Sequence, residues 1–471
     1  MYSESFSAAI FGIDGCVVHI ETDISEGLPG LVLVGYLSSE VKEARERVRI
    51  ALKNSGYRFP PKKITINLSP ADVRKDGTSF DLSIAVAILA AFGYIDKEIL
   101  KQILFIGELG LDGNIKSVNG VLPRVYTAYE NGFKYCIVPF DNVCEAGIID
   151  DVGIIGVKNI KEMVEILNSE DIAGYISDTK HKMPFKVEND EHDLSDIRGQ
   201  EGAKRAVEVA VSGMHNIALI GAPGTGKTML AQCIPGIMPK LTFSERMEIS
   251  KVYSVAGLLN KENPVVQKRP FRSPHHTVTQ TALAGGGRYP KPGEVSLASG
   301  GVLFLDELTR FDTKVIEQLR EPLETGKIMI NRMTGSYELP ADFMLASAMN
   351  PCACGFYPDR SRCRCTSWDV NRHYGRISRP IIDRIDISIA LQRVSFDELT
   401  GKAATECMNN STSSGGRNDS ALCSDSTKMR KIVERVWQIQ QGRLGEGRYN
   451  SRMTNDEIKR FCKLAVSSEK L

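Results

Sequence analysis

Apolar residues recur along this chain at two spacings, and the alternation between them divides it into blocks. Aliphatic and β-branched runs at 31–37, 64–68 and 136–139 have the length and composition of strands. Between them, 41–54 places Val41, Ala44, Val48, Ala51 and Leu52 on one helical face, and 83–92 is apolar all round, as a buried helix is. These elements predict one α/β or α+β domain over residues 1–175. The polar, mixed-charge stretch 176–193 predicts an interdomain linker. A second α/β domain is predicted over 194–395, with apolar strands at 216–220, 301–305 and 343–349 that each run into polar or glycine-rich residues. Open parallel sheets hold ligands at such strand ends. Residues 396–427 end in a Ser-, Asn- and Gly-rich run and predict a flexible loop, and 428–471 predicts a partial helical domain. There is no internal repeat.

The strand at 216–220 leads into Gly221, Ala222, Pro223, Gly224, Thr225, Gly226, Lys227 and Thr228, which fit G-x-x-x-x-G-K-[ST] at every fixed position. A helix is predicted over 228–233. Glycines let backbone N–H groups curl around a phosphate, and the helix N-terminus adds a positive dipole end. In this pattern Lys227 reaches the β- and γ-phosphates of ATP and Thr228 holds Mg²⁺. The alternative is a chance glycine-rich turn, which the strand before and the helix after argue against. The run 301–305 delivers Asp306 to the metal and Glu307 to polarise the attacking water. Asn350 ends the third run, where an amide can orient that water or serve only as a turn residue. Arg379 and Arg384 follow, either as surface arginines paired with Asp383 and Asp386 or as a finger entering a neighbouring subunit's site.

Composition narrows the setting. The net charge is +1, so nucleic-acid affinity has to come from local basic surface. The first ten residues lack a basic start and a long apolar core, and no run is long enough to span a bilayer, which predicts a cytoplasmic protein without a membrane partner. Eleven cysteines without a secretion signal predict reduced thiols. Four of them, Cys352, Cys354, Cys363 and Cys365, form C-x-C-x₈-C-x-C in a cysteine loop at 350–366, a candidate Zn²⁺ site or four reduced surface thiols. Arg360, Arg362, Arg364, Arg372 and Arg376 crowd this region with Trp368 and Tyr374, a composition suited to DNA phosphates and bases or to a solvated face. Lys42, Arg45, Arg49 and Lys53 make a second basic face, where Glu43–Arg47 and Lys42–Glu46 can pair internally.

Taken together these motifs resemble the magnesium-chelatase-like AAA+ ATPases of the ComM (YifB) group, over nearly the whole chain. The resemblance is carried by Gly27-Leu-Pro-Gly30, Val41-Lys-Glu-Ala-Arg-Glu-Arg-Val48, Asn67-Leu-Ser-Pro-Ala-Asp72, Lys75-Asp-Gly77 and Phe80-Asp-Leu82. It continues through Arg272-Ser-Pro-His-His276, Pro292-Gly-Glu294 and Asn350-Pro-Cys-Ala-Cys-Gly355. It implies ATP and Mg²⁺, a hexameric ring, and translocation on single-stranded or branched DNA with branch migration during natural transformation. It makes Asn350 the γ-phosphate sensor and Arg384, ahead of Arg379, the trans-acting finger. It also implies inserted loops, including 272–293, that face the ring pore. The N-terminal block is similar to the proteolytic domain of Lon, an α+β fold like ribosomal S5 domain 2. Ser79 stands at that domain's nucleophile position, but Leu122 stands where Lon carries its lysine. A serine without a base is a weak nucleophile, so a binding or scaffolding module is expected. Members of the group continue beyond position 471 with a helix bearing a nucleotide-reading arginine, so a C-terminally truncated chain is expected. The competing readings are a protein-remodelling AAA+ ATPase and the ATPase subunit of a magnesium chelatase; the latter needs neither the Lon-like block nor the cysteine loop.

Overall fold

A computed structural model describes residues 1–177, 192–287, 290–332, 335–393, 426–445 and 447–463. Its first unit is built on a ribbon that hydropathy does not announce. Strands β1 (Tyr2–Phe11) and β2 (Asp14–Ser25) pair antiparallel from Tyr2↔Asp23 to Phe11↔Asp14. They are followed by β3 (Gly30–Val34), α1 (Ser39–Asn54), β4 (Lys63–Ser69), α2 (Asp81–Ala91), β5 (Ile103–Phe105), α3 (Val121–Glu130), β6 (Tyr135–Pro139) and β7 (Gly153–Val157). The seven strands form one mixed sheet in the order β3-β4-β2-β1-β5-β6-β7. The five apolar residues expected on the inner face of α1 are its buried residues, and Ser38 caps the helix by accepting from Val41 N–H at 3.4 Å. Every residue of α2 is buried, including the charged Asp81, whose carboxylate takes two hydrogen bonds from Arg47 at 2.8 and 3.0 Å. Arg47 also lies 3.8 Å from Glu43, as expected, whereas Glu46 pairs with Arg45 and Arg49.

The second unit comprises α4 (Glu201–Gly213), β8 (Ile217–Gly221), α5 (Lys227–Gln232), α6 (Phe243–Ala256), β9 (Phe271–Arg272), β10 (Val302–Leu305), β11 (Lys327–Arg332), β12 (Gly335–Pro340), β13 (Met344–Met349), α7 (Ser367–Tyr374), β14 (Ile387–Leu391) and α8 (Ser426–Leu444). Strands β9-β10-β13-β8-β14 form a five-stranded sheet in that order, with every pairing parallel. Burial on both faces explains why β8, β10 and β13 read as continuous apolar runs. Arg272, the first residue of the stretch expected to be an inserted loop, belongs to β9 and ion-pairs with Glu294 at 2.6 Å.

The two units meet at α3 and α6. Met247 of α6 packs in one apolar cluster with Val121, Leu122 and Val125 of α3. Phe11 stacks on Tyr337 of β12 at 4.5 Å, and Lys251 Nζ lies 3.6 Å from the centre of the Tyr126 ring. Helix α8 starts two residues earlier than expected. It docks by satisfying carbonyls at the end of α4: Trp437 Nε1 donates to Val211 O at 3.1 Å and Gln440 to Ser212 O at 2.6 Å. The expected linker falls largely, and the expected loop almost wholly, outside the described residues. No helix among the described residues is long and apolar enough to cross a membrane.

Candidate active site

Parallel register gathers the predicted residues. Ile220 pairs with Met349 and Leu305 with Ser347, so the chain leaves β8, β10 and β13 on one side of the sheet, at Gly221, Asp306 and Asn350. The loop after β8 needs glycine for different reasons at different points. Gly224 and Gly226 have φ of +79° and +85°, which disfavour side chains, although a Cβ there would meet nothing. At Gly221 the limit is space, because a Cβ would lie 2.8 Å from Thr225 Oγ1 and 3.0 Å from Leu391 O.

Lys227, at the start of α5, turns back into the loop. Its Nζ donates to Gly221 O at 2.8 Å, Ala222 O at 2.9 Å and Asn350 Oδ1 at 3.3 Å. Burial lowers its pKa, and the nearby Asp306 and Glu307 carboxylates oppose that shift. The Thr228 hydroxyl donates to Asp306 Oδ2 at 2.9 Å, while Asp306 Oδ1 accepts from Glu307 N–H at 2.8 Å. Glu307 itself has a left-handed backbone, φ +52°, which no glycine explains. Its carboxylate lies 3.0 Å from Arg310 and 4.0 Å from His276 Nδ1. His373 Nε2 is 3.0 Å from the carbonyl oxygen of Asn350, fixing that residue from the far side. Sequence reasoning missed Arg310, His276 and His373 as neighbours of the site. The only local signal was the three-residue offset of Arg310 from Glu307.

Arg384 is elsewhere. It precedes β14, whose first residue Ile387 pairs with Ile217, while Leu391 at its far end pairs with Gly221. Four strand steps of about 3.3 Å put roughly 13 Å of sheet between Arg384 and its own chain's 221–228 loop. Its guanidinium pairs with Glu324 and donates to Pro380 O, and its buried Nε has no partner among the described residues.

The four loop cysteines do converge. Cys352 Sγ lies 3.3 Å from Cys354 Sγ and 3.8 Å from Cys363 Sγ, with 3.6 Å between the latter two, and the Cys365 sulfur joins them within 4.8 Å. All four are free thiols. Burial disfavours the Cys352 thiolate, but the Tyr357, Phe356 and Gly355 N–H groups and the Cys354 thiol outweigh it and bring the pKa down to about 6. A cavity of about 630 Å³ opens beside both this cluster and the strand ends, lined among others by Glu307, Asn350, Cys354, Arg372 and Arg376.

The sequence model described as magnesium chelatase, subunit ChlI, matches residues 193–399, and one described as subunit ChlI of Mg-chelatase matches 20–142. The competence protein ComM of Haemophilus influenzae is 39% identical over 462 residues, covering 98% of this chain and 86% of its own length. The uncharacterized protein YifB of Escherichia coli is 38% identical over 464 residues, covering 97% and 85%. The chain belongs to the ComM/YifB family of magnesium-chelatase-like proteins. It is an ATPase of that AAA+ family. A more distant relative of this ComM/YifB chain, the Lon protease of Fervidobacterium nodosum, is 27% identical over 170 residues, 33% of the chain and 20% of the Lon protease.

Among the described residues, Ser79 and Leu122, the positions expected to match Lon's dyad, form no serine–base pair. The Ser79 hydroxyl is buried and without a partner among the described residues, and Leu122 is fully buried in an apolar cluster with Ala8, Leu104 and Val125. Lys75 is buried as well, its Nζ donating to Pro70 O, and burial pushes its pKa down. The arginine-rich segment presents stacked pairs, Arg372 over Trp368 at 5.1 Å and Arg360 over Tyr357 at 5.2 Å, and Trp368 is 65% exposed.

Proposed function

We propose that this ATPase is a ring-forming motor that hydrolyses MgATP and translocates on DNA, acting on single-stranded or branched recombination intermediates. The observation that carries the ATP reading is the convergence of Lys227, Thr228, Asp306 and Asn350 at the ends of three parallel strands. The loop 221–228 wraps the phosphates with backbone N–H groups, and Lys227 exchanges its loop carbonyls for β- and γ-phosphate oxygens. The hydroxyl of Thr228 and the carboxylate of Asp306 form an oxygen-only donor pair suited to a hard cation, and these two residues would hold Mg²⁺. The ion would neutralise charge on the transferring phosphoryl group. Glu307 takes the proton of the attacking water, after turning away from Arg310. Asn350 reads the γ-phosphate.

The position of Arg384 supports a trans role, since about 13 Å of sheet separates it from its own loop. In a hexameric ring it would face the next subunit's γ-phosphate, once released from Glu324. DNA is supported by the exposed Trp368 with its stacked arginine, and by the name of the Haemophilus influenzae relative, a competence protein. Hydrolysis measured side by side with single-stranded DNA, branched DNA and an unfolded polypeptide separates the readings. Stimulation by DNA, greatest with branched DNA, is expected; stimulation by the polypeptide alone would make the chain a protein remodeller.

A further inference from the structure

Residues 351–366 contain no helix or strand, yet they form one wall of the cavity beside Asn350. Four backbone hydrogen bonds within this segment are seen: Gly355 N–H to Cys352 O at 3.0 Å, Asp359 N–H to Phe356 O at 2.8 Å, and Arg362 and Cys363 N–H to Asp359 O at 3.2 and 2.8 Å. What gathers it is sulfur. Four thiolates about 2.3 Å from one ion stand at tetrahedron corners, about 3.8 Å apart. The observed separations of 3.3, 3.6 and 3.8 Å, with all four sulfurs within 4.8 Å of one another, are near that edge length and far from the ~2.05 Å of a disulfide. With every corner supplied by the protein, no position stays open for substrate, so such a site is structural.

The cluster also touches the nucleotide loop. Gly355, with φ +84°, sits so close that a Cβ would lie 2.8 Å from Pro223 Cδ and 3.9 Å from Asn350 Cγ. Pro223 belongs to the phosphate loop, and Asn350 lies two residues before Cys352. The turn after the first cysteine pair is therefore wedged against Pro223 of the 221–228 loop and lies beside the amide at the third strand end.

We infer that Cys352, Cys354, Cys363 and Cys365 bind one Zn²⁺ that braces Gly355 against Pro223 and Asn350, coupling the metal site to the ATP site. The coupling rests on the ATP reading above; the metal site does not. Linkage makes the effect reciprocal: nucleotide must change the metal's affinity by the same factor as metal changes nucleotide affinity.

Cobalt makes this visible, because Co²⁺ in a tetrahedral thiolate site absorbs strongly in the visible. The full chain, prepared with Co²⁺, should bind one ion per chain with that spectrum, and Cys354→Ser with Cys365→Ser should lose it. Adding ATPγS should shift the spectrum of the wild type, and that of Lys227→Ala only at about 10–100-fold higher ATPγS. Gly355→Ala keeps all four thiols, so it should keep the cobalt spectrum but bind ATPγS at least about fivefold more weakly. Absence of tetrahedral cobalt in a chain that binds ATPγS would overturn the metal site and leave the ATPase reading standing. A cobalt spectrum that ignores bound ATPγS, with Gly355→Ala binding it normally, would overturn the coupling. A cobalt spectrum in a chain that binds no ATPγS would uphold the metal site and sink the ATP reading.

Discussion

The Thr228 hydroxyl donates to Asp306 Oδ2 across 2.9 Å, joining two residues 78 positions apart in sequence. Neither side chain gains much from a bond that water could replace, so the contact matters for what it positions: two oxygens at the mouth of the phosphate loop. Asp306→Asn keeps the size and one acceptor of that side chain but removes its charge. The Mg²⁺ concentration needed for half-maximal hydrolysis should rise by about 10–100-fold, while Thr228→Ser stays near the wild type. An unchanged Mg²⁺ dependence in Asp306→Asn would remove that residue from the metal site.

Arg384 makes a prediction that depends on the ring. Arg384→Ala should bind ATP normally and lose on the order of 10³-fold in hydrolysis. Mixing it with Lys227→Ala chains should restore part of the activity, because some interfaces then pair an intact loop with an intact arginine. Glu324→Gln separates the alternatives: it breaks the resting ion pair but leaves the arginine free. If Glu324→Gln lost as much activity as Arg384→Ala, and mixed rings recovered none, Arg384 would be a structural residue.

The Lon-like unit should cleave nothing. The buried Ser79 hydroxyl has no hydrogen-bond partner among the described residues, and Leu122, where the resemblance to Lon would put the lysine, is fully buried and apolar. Ser79→Ala should therefore leave hydrolysis of ATP and any DNA-dependent activity at the wild-type level. Peptide cleavage by the wild type that disappears in this variant would contradict the scaffold reading.

Legibility of the sequence followed the physics of each element. The helix 39–54 could be read to its individual buried residues, because one apolar stripe recurs at helical spacing. Strands β8, β10 and β13 could be read because both faces are buried. Strand β1 could not, since its inner face is Ser3, Ser5 and Ser7, whose burial depends on carbonyls of α2 and β5 far along the chain. The two-residue β9 offers no run at all. At the site, contiguous motifs named Lys227, Thr228, Asp306 and Glu307, whereas His276 and His373 approach only through tertiary packing and carry no local signal. The cysteine spacing suggested a cluster, but its contact with Pro223 through Gly355 was invisible in one dimension.

At the junction of the two units, Glu145 accepts from the Leu122 N–H at 3.0 Å and from Asn142, and hydrogen-bonds to the Ser254 hydroxyl of α6. Burial raises its pKa, against the pull of those donors and of Arg124. The folded chain therefore keeps a proton that the unfolded chain releases above the ordinary value near 4.5. The carboxyl's contribution to stability is full below the unfolded pKa and is lost as pH rises through the folded one. Glu145→Gln mimics the protonated form at every pH. Its melting temperature relative to the wild type should rise as pH increases from the acid side through the raised range. A difference that stays flat with pH would mean that Glu145 titrates normally.

The central claim is that Glu307 activates water at a site where Lys227 binds phosphate. Nucleotide affinity and hydrolysis, measured together on the wild type, Lys227→Ala and Glu307→Gln, test it most directly. Lys227→Ala should bind ATP about 10–100-fold more weakly, having lost a charge-assisted contact to phosphate. Glu307→Gln should bind ATP as tightly as the wild type and hydrolyse it about 10²–10⁴-fold more slowly. A Glu307→Gln chain that turns ATP over at the wild-type rate, or a wild type that binds no ATP, would contradict the account.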